Sequence, residues 1–345
     1  MKQKIINDIL KEKAVDAFVS FTPQTRLWFT EFESSDGIMV FTKEESILYI
    51  DGRYFEAASE VVKSAKVVLL NKESMDKFKD FNFKTIAIES NYITVDESNK
   101  IKKLFNNDKF VNINGQELRI IKSDAEIKIM KKAGSIALKA LKDTEKLFKA
   151  GVSELEIRNE LSANLKKHGA SKDSFDAIVV SGERGSLPHG KPSEKLLKDG
   201  ELLTIDFGAI YKGYCSDITR TFHIGEVTNK QTLEFEEVLR EAQRQGIKSV
   251  KPGMMTSEVD KVCRDYITEK GFGKYFVHST GHGLGIDVHE LPNVTSNKAF
   301  DRELKPGMVI TVEPGIYIPG VGGIRVEDDI LVTKDGHEVL SKIRD

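Results

Sequence analysis

One short phrase occurs twice in this chain. Residues Gly200–Gly208 read GELLTIDFG and Gly307–Gly315 read GMVITVEPG. Both follow one pattern: Gly, any residue, two apolar residues, Thr, an apolar residue, an acid, any residue, Gly. The acids are Asp206 and Glu313, and a second acid follows each, Asp217 and Glu327, on what reads as the return strand of a hairpin. Two related hairpins then each deliver a pair of carboxylates. Four convergent carboxylates repel one another unless a cation lies between them, so the pattern points to a divalent metal site.

The spacing of the surroundings shows that more than a hairpin is repeated. Ser123 and Glu126 form a capping-box signature before Ile127, Met130, Ile136, Ala137 and Leu141 at helical spacing. That helix is expected to run to about Ala150 with Gly151 as its stop, and Ser153 and Glu156 cap a second, to about His168. A strand at Ala177–Val180, a Gly/Pro-rich loop and the first hairpin follow. The second half repeats the order, with helices over about 232–250 and from Thr256 to before Gly271, then a Gly/His-rich loop and the second hairpin. Gly151 and Gly253 are 102 residues apart, and Asp206 and Glu313 are 107 apart. Two matching offsets predict a duplicated helix–helix–strand–hairpin unit. The copies are expected to join into one curved sheet backed by helices, an α+β domain with pseudo-twofold symmetry and a polar concave face.

Side-chain alternation places Thr204 with Asp206 on one face and Leu203, Ile205 and Phe207 on the other. Asp217, Thr219 and Thr221 share a face against Ile218 and Phe222. A symmetric hairpin with Asp206 directly opposite Asp217 centres its turn between Tyr211 and Lys212, beside Gly213. The same construction for Glu313 and Glu327 centres on Gly320, with Thr311 beside Glu313 and Arg325 beside Glu327. One strand acid alone reads as a solvent-facing residue. Four at duplicated positions, each with apolar residues on the opposite face, do not.

Three of the seven histidines crowd into His278–Glu290, HSTGHGLGIDVHE. Its glycines let backbone and side chains approach a small site closely. His282 is the ligand candidate. His278 and His289 are candidates for hydrogen-bond donors around the metal or to a reacting carbonyl, and His189 lies in the matching loop of the first half. His168, His223 and His337 read as structural. Cys215, beside the hairpin acids, reads as small strand filler.

The first ~120 residues alternate strand-like and helical runs. Strands are expected at Ala17–Phe21, Gly37–Thr42, Ser46–Asp51, Lys66–Leu70 and Thr85–Glu89, with helices at 2–13, 53–63 and 95–105. This predicts a small α/β domain on a mixed sheet, over 1–122, before a catalytic domain over 123–345. A net charge of −2 with 31% charged residues gives no reason to expect nucleic acid. No apolar run approaches the ~20 residues of a membrane helix, and the N-terminus has no apolar signal-peptide core. Two cysteines are too few for a disulfide framework. A reduced, cytoplasmic setting is the expectation.

Taken together, IDFGAIYKGYCSDITRTF, HSTGHGLGIDVHE, TVEPGIYIPG and GIRVEDD resemble the pita-bread metallopeptidases. The resemblance is to their Xaa-Pro branch, the proline dipeptidases (prolidases) and aminopeptidase P. It covers the whole chain, more loosely over 1–120, which is similar to the creatinase/prolidase amino-terminal domain. The resemblance implies five metal ligands, Asp206, Asp217, His282, Glu313 and Glu327. Asp217 and Glu327 would bridge two divalent ions, Asp206 would complete one, and His282 and Glu313 the other. It also implies roles near substrate for His189, His278, His289 and Arg325. The oxygen-rich set suits Mn²⁺, Co²⁺ or Fe²⁺ and admits Zn²⁺. The expected reaction is hydrolysis of the bond before proline by a metal-bridging hydroxide, with Glu313 as proton shuttle and short proline-containing peptides as substrates. A homodimer is the family expectation. The alternatives are a methionine aminopeptidase-like enzyme, disfavoured by the amino-terminal domain, His278 and Arg325, and a non-catalytic peptide-binding module, disfavoured by the intact ligands.

Overall fold

A computed structural model describes residues 2–342. The chain divides into two compact units, Met1–Arg119 and Ile120–Asp345.

In the first unit, strands β1 (Ala17–Ser20), β2 (Ile38–Phe41), β3 (Ser46–Ile50), β4 (Lys66–Leu69), β5 (Ile86–Glu89) and β6 (Phe110–Ile113) form one mixed sheet in the order β4-β3-β2-β1-β5-β6. β1, β2, β3 and β5 are buried end to end, as continuous apolar runs demand. Helices α1 (Lys2–Glu12), α2 (Pro23–Thr30), α3 (Phe55–Val61), α4 (Lys72–Asp76) and α5 (Val95–Phe105) connect them. The expected strands are present. β6, α2 and α4 were not expected: β6 is half-exposed, α4 spans only five residues, and α2 opens on Pro23 after a Thr22 cap within a run that has no clear helical period.

The second unit contains two copies of one arrangement. In the first, α6 (Asp124–Thr144) and α7 (Glu154–Lys167) pack together, each behind a capping box, Ser123/Glu126 and Ser153/Glu156. α6 ends six residues before Ala150, because a 3₁₀ turn over Glu145–Leu147 replaces its last turn. The strands that follow are β7 (Lys172–Asp173), β8 (Ile178–Ser181), β9 (Glu201–Phe207), β10 (Ala209–Tyr211), β11 (Tyr214–Cys215) and β12 (Ile218–Ile224). In the second copy, α8 (Lys230–Ser249) packs on α9 (Thr256–Glu269). Then come β13 (Gly281–Gly283), β14 (Glu290–Val294), β15 (Val309–Val312), β16 (Gly315–Ile318), β17 (Gly322–Arg325), β18 (Asp328–Val332) and β19 (His337–Val339). The antiparallel order β8-β9-β12 matches β13-β15-β18, and the latter is extended by β14 and β19. The duplication is therefore present in the topology.

Two expectations are corrected. The copies do not share one continuous ladder. Each hairpin is cut in two at its acids, β9–β12 from β10–β11 and β15–β18 from β16–β17. The copies are joined instead by single bonds: the Glu327 N–H donates to Thr219 O at 3.1 Å and Thr221 Oγ1 to Arg325 O at 2.8 Å. Chain that turns its carboxylates inward at these points leaves the regular ladder.

The first hairpin is also paired differently. Asp206 lies opposite Thr219, not Asp217, and Asp217 falls in the gap between the β10–β11 and β9–β12 ladders. The turn consists of Lys212 and Gly213, both at positive φ (48° and 77°), as a two-residue type I′ turn requires. The turn chemistry moves the centre by one position and thereby staggers the two acids. In the second hairpin the expected register holds, with Ile316 opposite Ile324 and Gly320 at φ 74°.

Candidate metal centre

The predicted faces of β9 and β12 are observed. Leu203, Ile205, Phe207 and Ile218 are fully buried in one apolar cluster. On the other face Thr204 and Thr221 touch, Oγ1 to Oγ1 at 3.0 Å. That face carries Asp206 to the floor of a cleft of about 830 Å³, which all five expected ligands line, together with His189, His278, His289 and Arg325.

His282 is the middle residue of β13. Its backbone N–H is held by Thr311 Oγ1 at 3.1 Å, and its Nδ1 donates to Gly283 O at 3.0 Å. In the neutral ring that bond fixes the tautomer and leaves Nε2 as a lone pair. Nε2 faces Glu313 Oε1 at 3.3 Å and Asp217 Oδ2 at 3.6 Å. Asp217, His282 and Glu327 each present a ligand atom within 4.8 Å of the others. Glu327 Oε2 accepts from Thr219 Oγ1 at 2.7 Å, while its Oε1 is buried with no partner. Asp206 repeats the arrangement: Oδ2 accepts from Arg325 Nη2 at 2.5 Å and Oδ1 is buried with no partner. An orphaned buried carboxylate oxygen costs free energy unless something cationic satisfies it. Here two point into one cleft beside an imidazole lone pair, and this donor set fits a divalent ion.

The electrostatics of the cluster point the same way. Burial, followed by the charges of Glu327, Asp206 and Glu313, pushes Asp217 well above the ordinary carboxylate range. Burial and the charges of Glu313 and Asp206 do the same to Glu327. Burial also works against an ionised Glu313, but when His282 is protonated their hydrogen bond and ion pair outweigh it and hold the carboxyl below its usual value. The same contact lifts His282 against the opposing effect of burial. Asp217 and Glu327, so placed, resist ionisation until a counter-charge arrives.

Comparison with known proteins identifies the family. Residues 128–334 match metallopeptidase family M24, and residues 3–121 match the creatinase/prolidase N-terminal domain. The chain belongs to metallopeptidase family M24. It is 40% identical to the solved Xaa-Pro dipeptidase from Bacillus anthracis, with a TM-score of 0.94 over 99% of this chain and 97% of that one. It is 35% identical to the solved X-Pro aminopeptidase from Thermotoga maritima, with a TM-score of 0.89 and 96% of each chain covered. Over 350 residues it is 38% identical to an Xaa-Pro dipeptidase of Pyrococcus horikoshii, covering 99% of this chain and 97% of that one. The M24 chain is thus a peptidase of a family that works with divalent metal ions.

Around the candidate metal centre of this M24 peptidase lie residues that the sequence pattern did not single out. Tyr317 is the main one. Its hydroxyl accepts from Arg325 Nη1 at 2.8 Å and donates to His278 Nε2, 2.9 Å away. His278 Nδ1 in turn donates to Ser279 O at 2.7 Å. Both ring nitrogens of His278 are therefore used within the protein, and Nε2 carries no proton to donate to substrate, contrary to the sequence expectation. Burial depresses the His278 pKa and raises the Tyr317 phenol to about 12, so both are neutral near pH 7. A Cβ at Gly315 would lie 2.3 Å from the Tyr317 hydroxyl, so the motif's closing glycine makes room for it. Asp329 is also buried at the site and accepts the Asp217 N–H at 3.3 Å. The third acid of GIRVEDD was the available signal.

The remaining histidines fall into two groups. His289 packs edge-on against His282, ring centroids 4.3 Å apart, and His189 is exposed on the cleft wall. His168, His223 and His337 bond to Asp143, Glu236 and Val250 O, and none of them lines the cleft. Cys215 is buried, with its thiol against Ile286 O.

Proposed function

We propose that this M24 peptidase hydrolyses the peptide bond preceding proline in short peptides, using two divalent ions held by Asp206, Asp217, His282, Glu313 and Glu327. The observation that carries this reading is the pair of orphaned carboxylate oxygens, Asp206 Oδ1 and Glu327 Oε1, in a cleft that also holds the free Nε2 side of His282. The names of the relatives, Xaa-Pro dipeptidase and X-Pro aminopeptidase, support proline specificity. The donor chemistry favours Mn²⁺, Co²⁺ or Fe²⁺ and admits Zn²⁺. A cytoplasmic homodimer, with an amino-terminal domain over 1–122 and a catalytic domain over 123–345, completes the reading. No helix among the described residues is long and apolar enough to cross a membrane.

Bound divalent ions supply Lewis acidity and make a nucleophile available from water near neutral pH. The chain's own residues do the rest. Glu313, whose Oε1 faces His282 Nε2 at 3.3 Å, takes up a proton and returns it to the departing proline nitrogen. His289, whose pKa burial and His282 lower, is neutral near pH 7 and can donate a hydrogen bond to the scissile carbonyl. Arg325 holds Asp206 in place through the 2.5 Å bond. A proline nitrogen in a peptide bond has no N–H, so its pocket needs apolar walls, and Pro188, Pro192, Phe175, Ile178 and Val288 line the cleft.

The test is metal analysis of the purified protein together with a substrate panel. Hydrolysis of Ala-Pro or Ala-Pro-Ala with bound divalent metal is the expected result, and the two peptides separate dipeptidase from aminopeptidase. Cleavage of Met-Ala peptides without cleavage of either proline peptide would overturn the reading.

A further inference from the structure

The cleft has a second arginine, and among the described residues nothing engages it. Arg158 lies on α7, which packs on β8, the strand whose Ile178 pairs with Asp206 in the ladder. It lines the cleft with Phe175, Asp176, Ile178, Lys191 and Pro192. Its Nε is buried without an acceptor, and among the described residues no hydrogen bond or ion pair ties its guanidinium to another group. The neighbouring arginines are fully engaged. Arg325 bonds Asp206, Tyr317 and Pro188 O, and Arg184 bonds Glu154 and Lys191 O. Asp176 is on the same wall but exposed, and does not pair with Arg158. A donor that is buried and unmet costs free energy until an acceptor arrives. The planar guanidinium fork suits a carboxylate, and the apolar residues around it strengthen such a pair.

We propose that Arg158 is a specificity-determining residue that receives a carboxylate of the peptide substrate. The assignment rests on the peptidase reading above and extends it to a substrate class. The carboxylate can come from an acidic side chain before the proline or from the C-terminus of a short peptide. These sources share one chemistry, and three peptides separate them: Ala-Pro-Ala-amide carries neither, Asp-Pro-Ala-amide only the side chain, and Ala-Pro-Ala only the terminus.

The experiment compares metal-loaded wild type with Arg158→Met and Arg158→Lys on this panel. Arg158→Met should raise KM about ten- to a hundredfold for the carboxylate-bearing peptide that Arg158 reads. It should change kcat little and leave the neutral amide unaffected. Arg158→Lys should recover part of the loss. Loss confined to Asp-Pro-Ala-amide assigns the side chain, and loss confined to Ala-Pro-Ala assigns the terminus. An equal change on all three peptides, or none on any, overturns the proposal. If wild type cleaves none of them, calorimetric binding of the same peptides carries the test, and the proline-specific reading itself fails only if Ala-Pro is not cleaved either. A carboxylate preference abolished in Arg158→Met then supports the assignment, and the absence of any preference overturns it. Thermal melting of the variants confirms that they are folded.

Discussion

The Tyr317 hydroxyl is the point through which Arg325 and His278 are held together. Removing it leaves Arg325 Nη1 with only Pro188 O and His278 Nε2 with no donor. Tyr317→Phe should lower kcat about tenfold or more, the usual size for a bond to a charged group, and should leave metal content unchanged because Tyr317 is not a donor. Steady-state kinetics with metal analysis checks this, and loss of metal would contradict it. The donors themselves should separate differently. Asp217→Ala, which removes a carboxylate within reach of both His282 and Glu327, should lose metal and turnover together. Glu313→Gln should keep at least one ion and lose most of its rate. An active, metal-free Asp217→Ala protein would end the dinuclear reading.

At the scale of elements, the sheet is interrupted where the chemistry sits. Gly208 lies at one interruption, where a Cβ would fall 1.8 Å from Ser216 O. Gly208→Ala should therefore force the two ladders apart, lowering the melting temperature by several degrees, on the order of 1–3 kcal/mol for overpacking, and weakening metal retention. Calorimetric melting checks it, and an unchanged transition would mean the gap can open freely. The faces of β9 and β12, the paired capping boxes and the duplication were legible because each is a local or periodic property. The stagger of Asp206 and Asp217 was not, since it depends on Lys212 accepting positive φ, an uncommon choice for a residue with a Cβ. The interruptions were hidden for a related reason: nothing in the pattern of apolar residues records where a backbone leaves its partner. Tyr317 and Arg158 were overlooked because each reads as an ordinary strand or helix residue until the fold brings it to the cleft.

For the whole molecule, the acids make stability depend on pH and metal together. Asp217 and Glu327 have folded pKa values above their unfolded ones. Their contribution to the metal-free fold is full below the ordinary carboxylate range, about pH 4, and is lost as pH rises through the raised values. His282, also raised, has the same sign at higher pH. Glu313, lowered, has the opposite sign and loses its contribution as pH falls. Two buried, mutually repelling carboxylates dominate, so a chelator should lower the melting temperature more at pH 8 than at pH 5. Melting with and without chelator across that range measures it, and a gap that narrows with rising pH would contradict the assignment.

The seam between the two copies is crossed from both sides, and Arg325 of the second copy bonds Asp206 and Pro188 O of the first. Thr219, Arg220 and Thr221 of the first copy reach across to Arg325, Glu327 and Asp328 of the second. A symmetric pair of hairpins could be exchanged like the subunits of a homodimer. These behave as a heterodimer written in a single chain, because the imidazole and the Asp206-binding guanidinium belong to the second copy alone. A protein assembled from two first copies would have both walls and no base between them. The repeat is thus a record of common origin whose halves have since become complementary rather than interchangeable.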